Sequence, residues 1–148
     1  MSYGSAEMPP RFVDASVFVH AFLRPKRTLQ PHEEKLKSRA RAIVSRLFKG
    51  EEAVSSTVHF AEIANILEDR IPLADAHMVE RGILLRDTIR ILPAARRDLA
   101  EALTEAVDAK VGVTDALAIA MMRREGLSEV YSFDHDFDRF EGIRRVAG

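Results

Sequence analysis

Short apolar runs alternate along this chain with stretches whose apolar residues recur every three or four positions. Phe12-Val13 is the first run, ended by Asp14, and Val17, Phe18, Ala21 and Phe22 continue at helical spacing until Pro25. The pattern predicts a strand, a tight turn at Asp14-Ala15-Ser16, then a helix. From His32 to Lys49 a long amphipathic helix is expected, its apolar face Leu36, Ala40, Ile43, Val44, Leu47 and Phe48, with Gly50 ending it. "EEAVSS" predicts a strand and "TVHFAEIANILEDR" a helix capped by Ser56 or Thr57, whose core face is Phe60, Ile63, Ala64 and Leu67. Helices follow over Leu73–Arg86 and Ala94–Val107, with "IRIL" a strand between them. "GVTDALAIAMMRREG" predicts a helix capped by Thr114 and closed by Gly126, followed by the strand "EVYSF" and a last strand "IRRV". Strands alternating with helices imply an α/β fold: a three-layer α/β/α sandwich around a central, mostly parallel sheet. Residues 1–10 predict a flexible leader and residues 11–148 a single domain.

Composition adds limits rather than an answer. The 148 residues are 47% hydrophobic and 30% charged with net charge −1, as in a soluble globular protein. Cysteine is absent, which excludes disulfides and thiolate metal sites. No signal-peptide pattern and no membrane-length apolar run occurs, so the expected location is cytoplasmic. The charge is unevenly placed. Between Arg24 and Lys49 stand nine Lys/Arg and two acids, leaving 13 basic and 21 acidic residues elsewhere.

The chemistry concentrates in carboxylates. Ligands of a parallel sheet bind beyond the carboxyl ends of its strands, near a topological switch point. Asp14 ends the first strand, Asp134 follows "EVYSF", and Asp115 opens a helix, so all three should emerge at one edge. Glu62 lies in the second turn of its helix, beside Val58 and Asn65 and away from the core face. Each has a plainer reading: Asp14 and Asp115 as helix caps, Glu62 as a solvated acid, and "DHDFDR" as a solvated turn. Convergent carboxylates without thiolates suit a hard cation, Mg²⁺ or Mn²⁺, which clamps phosphoryl oxygens and activates water. A calcium loop starting at Asp134 would need Gly and Glu where Arg139 and Arg145 stand. A zinc set of His59, Glu62 and His135 lacks any H-E-x-x-H spacing, and no phosphate-binding glycine loop occurs.

Four segments, "FVDASVFV", "SSTVHFAEIANIL", "VGVTDALAIAMM" and "VYSFDHDFDRF", together resemble the acidic motifs of PIN-domain ribonucleases, most closely the VapC toxins of toxin–antitoxin pairs. The resemblance runs from Arg11 to about Val146. It implies an α/β/α fold and Mg²⁺- or Mn²⁺-dependent hydrolysis of RNA, leaving a 5′-phosphate and a 3′-hydroxyl. Position by position it implies Asp14, Glu62, Asp115 and Asp134 as catalytic acids. Metal ligands would be Asp14 and Asp115 with Asp134 or Asp136, and Ser16, Thr114 and Ser132 supporting residues. Arg139 would be an outer partner of the acids. It also implies a homodimer and a small antitoxin; the helix of Phe18 and Phe22 and the basic helix are candidates to line the antitoxin groove, although core packing explains the same phenylalanines equally.

The basic segment, through Lys35, Lys37, Arg39 and Arg41, is a candidate phosphate rail, although a solvated helix face explains it equally. Two other functions stay open at this point. One is a catalytically silent PIN-like module that binds RNA or protein. The other is a phosphoryl-acceptor domain, disfavoured because only Asp14 ends the first strand and no lysine follows Lys110.

Overall fold

Among the described residues five short strands, all parallel, form one sheet in the order β3-β2-β1-β4-β5. They are β1 (Arg11–Val13), β2 (Ala53–Ser56), β3 (Ile89–Leu92), β4 (Glu129–Tyr131) and β5 (Arg144–Val146). The helices are α1 (Ala15–Phe22), α2 (Pro31–Phe48), α3 (Thr57–Arg70), α4 (Leu73–Leu84), α5 (Arg96–Ala109) and α6 (Val113–Glu125), with a 3₁₀ turn at His135–Arg139. The computed structural model describes residues 8–147, so most of the expected leader lies outside the described residues.

Alternation along the strands separates two cores. Val13, Ala53, Ile89 and Tyr131 pack with α1, α2, α3 and α4 on one face. Phe12, Val54 and Val130 pack with α5, α6 and Phe137 on the other. The result is a three-layer α/β/α sandwich with β1 at its centre. Strand order reverses across β1, which pairs with β2 on one side and β4 on the other. That reversal opens the crevice in which a parallel sheet holds its ligand.

Three local readings change. Helix α6 is capped by Gly112, not Thr114, which sits half-buried one residue inside the helix and makes no side-chain cap. The buried face of α3 is His59, Ile63 and Leu67, while Phe60 and Ala64 are only half-buried. The helix is turned so that His59 meets Phe12 edge to face, ring centroids 5.1 Å apart.

Lys37 is the third. It is 4% exposed, and its ammonium donates to the carbonyls of His20, at 3.1 Å, and Leu23. The unsatisfied carbonyls at the end of α1 draw a cation into the α1–α2 interface. Burial, then the neighbouring Arg41 and Arg24, lower its pKa. Lys37 is thus unavailable to a phosphate rail, and Arg41, though exposed, leans its Nε on the carbonyl of Ala21 at 3.3 Å. Lys35 and Arg39 remain exposed.

Removing a buried charged hydrogen-bond donor costs about 2 kcal/mol. Lys37→Ala should therefore lower the stability read by urea denaturation by that amount. Lys35→Ala, with its ammonium in solvent, should change it by less than about 0.5 kcal/mol.

Candidate active site

Parallel pairing of β1 with β4 aligns Val13 with Tyr131, so the residues following each strand leave the sheet side by side. Asp14 and Ser132 are those residues. The Ser132 hydroxyl donates to Asp14 Oδ2 at 2.8 Å and accepts from the Asp134 amide at 2.9 Å. Ser16 Oγ lies 3.2 Å from Ser132 Oγ and accepts from the Phe133 amide at 3.0 Å. The two serines fasten the start of α1 to the loop after β4 and fix Asp14 against Asp134. Asp14 also caps α1, its carboxylate accepting from the Ser16 amide at 3.4 Å. The cap and the site are the same residue.

Asp134 caps the 3₁₀ turn in the same way, its Oδ1 accepting from the Asp136 amide at 2.9 Å. This turn swings Asp136 back toward Asp134. Asp115 comes from the opposite layer, in the first turn of α6. Asp115, Asp134 and Asp136 each place a carboxylate oxygen within 4.8 Å of the others. Both residues between which the fourth acid was left open, Asp134 and Asp136, lie in this cluster. Glu62, half-buried on α3, stands outside that cluster but within reach of Asp14 and Asp134.

The electrostatics follow from this crowding. A helix start favours a negative charge, yet the Asp115 carboxyl is pushed up to about 8. Burial is the largest cause, followed by Asp134 and Asp14. Burial, then Asp14 and Asp134, raise Glu62 as well. The third aspartate of the turn behaves differently. Asp138 faces Arg145 at 3.2 Å and His135 at 3.3 Å, and hydrogen bonding to Arg145 is the main cause of its lowered pKa. Arg139 reaches Asp136 only from outside, at 3.6 Å. His135 is exposed and bonded to Asp138, and His59 is buried in the core, so the zinc set does not assemble.

His59 is the neighbour that residue patterns undervalued. Its Nδ1 lies 2.6 Å from Ser56 Oγ, and its Nε2 is buried against the backbone of Thr114 without a partner in hydrogen-bond geometry. It wedges α3 against the start of α6, where Asp115 stands. An isolated histidine at a helical position carries no pattern that would have announced this.

Comparison with known proteins now decides the family. The PIN-domain family model matches residues 11–143. This chain belongs to the PIN-domain family. Two solved structures share the PIN fold at 20% identity. VapC20 of Mycobacterium tuberculosis, a sarcin-ricin loop cleaving toxin, has a TM-score of 0.64, over 86% of this chain and 92% of that one. PAE2754 from Pyrobaculum aerophilum has a TM-score of 0.57, over 93% of this chain and 90% of that one. No curated protein sequence matches this PIN chain.

A carboxyl whose pKa is raised on folding binds a proton that the unfolded chain has released. Between pH 3.8 and about 8 the folded state therefore holds more protons than the unfolded state, and Asp115 erodes stability as pH rises through that window. In EDTA, the melting temperature should fall across this range. Asp115→Asn should flatten the slope and melt higher than wild type at pH 8. An unchanged slope in the variant would mean that Asp115 is not the group responsible.

Proposed function

We propose that this PIN chain is a divalent-metal-dependent endoribonuclease acting as the toxin of a toxin–antitoxin pair. The carrying observation is the meeting of Asp14, Asp115, Asp134 and Asp136 at the switch point. Among the described residues Arg139 alone forms an ion pair with this group, to Asp136 at the rim. The donor set fits a hard cation: every candidate ligand is a carboxylate oxygen, and the chain has no cysteine. Asp115, Asp134 and Asp136 would hold Mg²⁺ or Mn²⁺, with Asp14 beside them. When bound, such an ion neutralises the scissile phosphate and lowers the pKa of water.

The side chains supply the rest. Ser132 and Ser16 hold Asp14 and the loop bearing Asp134 in fixed register, so the acids need no reorganisation when substrate arrives. Glu62, its pKa raised by burial and the neighbouring acids, orients the attacking water and takes its proton. Thr114 flanks Asp115 in the first turn of α6. Lys35 and Arg39, exposed on α2, draw the polyanion in.

The toxin role is supported by the shared fold with VapC20 and by two surfaces. A groove of about 370 Å³ between α1 and α2, lined by Phe22, Arg41 and Val44 among others, suits an antitoxin segment. Phe18, expected beside Phe22, is instead a core residue at 2% exposure. Met78 and Leu84 on α4, and Leu85 just past its end, expose apolar area that suits a homodimer. Among the described residues no helix is long and apolar enough to cross a membrane, and a cytoplasmic location is proposed.

The test is cleavage of a panel of tRNA and structured RNA with Mg²⁺, Mn²⁺ or EDTA. Wild type should cut only with a divalent ion, and Asp14→Asn and Asp115→Asn should each lose at least about a hundredfold in rate. Cleavage that survives EDTA or both substitutions would remove the nuclease reading. Silence of the wild type, with no divalent binding by calorimetry, would leave a binding module.

A further inference from the structure

Helices α3 and α4 are joined by only Ile71 and Pro72. They share one core, through Ile63 and Leu67 on the first and Ala76, Val79 and Ile83 on the second. Three polar side chains meet beside this contact, outside the acidic cluster. Glu68 comes from the last turn of α3, and His77 and Glu80 from α4. A spacing of three residues puts His77 and Glu80 on one face of their helix. Each of the three places one ligand atom within 4.8 Å of the other two. His77 Nε2 stands 3.9 Å from Glu68 Oε2.

The surroundings call for a cation. Glu80 Oε2 is buried and has no hydrogen-bond partner, a costly state for a carboxylate oxygen. Burial, then hydrogen bonding with Glu68 and its charge, raise the Glu80 carboxyl, as two acids forced together should. Glu68 and Asp69 also add negative charge to the C-terminal end of α3, the end of a helix that favours a cation. Arg70 does not meet that need for Glu68, because it pairs with Asp69 at 3.4 Å.

The imidazole decides which cation. Asp115, Asp134 and Asp136 offer oxygen alone and fit a hard ion, whereas one nitrogen with two carboxylates fits Zn²⁺. We propose that Glu68, His77 and Glu80 form a second metal site, which binds Zn²⁺ and staples α3 to α4. His77 Nε2 and one oxygen from each glutamate supply three ligands, and water takes the fourth position. Glu68 and His77 are exposed, so the ion enters from solvent, and half-buried Glu80 anchors it. Glu62 lies six residues before Glu68, about 9 Å along α3, which keeps the staple separate from the acids of the proposed nuclease.

Calorimetric titration of the tag-free protein with ZnCl₂ near neutral pH tests this, with Mg²⁺ in large excess to occupy the acidic cluster. Wild type should bind one Zn²⁺ per chain, and Asp115→Asn should do the same. His77→Ala and Glu80→Gln should each weaken binding at least about tenfold, since even the outer partners of a metal ligand are worth that much. Zn²⁺ should raise the melting temperature of wild type and leave that of His77→Ala unchanged. Co²⁺ should give wild type the intense visible band of a four-coordinate ion, and His77→Ala should lose it. Circular dichroism checks that both variants are folded. Zinc binding that survives both substitutions and vanishes in Asp115→Asn would place the ion in the acidic cluster and overturn the proposal. Binding weaker than about 100 µM, or binding equal in all variants, would mark an adventitious ion only and overturn it as well. Neither result bears on RNA cleavage, which is read with Mg²⁺ or Mn²⁺.

Discussion

Mutual repulsion of carboxylates is the constraint to which the rest of this protein answers. Asp14, Asp115 and Asp134 come from three separate parts of the chain, and Asp136 joins them through a 3₁₀ turn. Like charges this close oppose folding unless a proton or a cation sits among them. Asp115 at about 8 shows the first solution, and the all-oxygen donor set fits the second. The two sandwich cores supply the stability against which this local cost is set.

The scaffold meets the constraint with short, stiff connections. Parallel strands β1 and β4 deliver Asp14 and Ser132 in register, and one hydroxyl then serves both Asp14 and the Asp134 amide. Each aspartate at a strand end also caps the helix or turn that follows it. Local helix starts and the site's geometry are therefore the same hydrogen bonds, and a residue cannot change one without the other. Lys37 plays the complementary part at the far end of α1. Its buried ammonium satisfies carbonyls there, which fixes the α1–α2 angle.

Function on this scaffold divides between a shared centre and a variable rim. The acids lie at the switch point where a parallel sheet offers ligands a crevice. The groove along α1 and α2 and the exposed apolar side chains of α4 lie outside that crevice. Partner and substrate choice belong to such surfaces, because loops and helix faces vary without disturbing the sheet.

Residue order alone determined the alternation of strands and helices, the α/β/α class and the four acids worth testing. Apolar periodicity and strand-end position are local properties, and Asp14, Glu62, Asp115 and Asp134 declare themselves through them. Tertiary structure decided everything that depends on which face turns inward. The nine basic residues between Arg24 and Lys49 read as one charged surface, yet Lys37 is buried because α1 ends against it. His59 looked like a chance histidine and is a core residue, because Phe12 and Ser56 turn α3 toward it. Thr114 looked like a cap, but the helix is entered two residues earlier, at Gly112. Likewise strand-end position singles out Asp134 in "DHDFDR" but does not by itself separate Asp136 from Asp138. Folding sends Asp134 and Asp136 toward Asp115 and leaves Asp138 to Arg145, since a tight turn points successive side chains in different directions and only their neighbours in space set their charge.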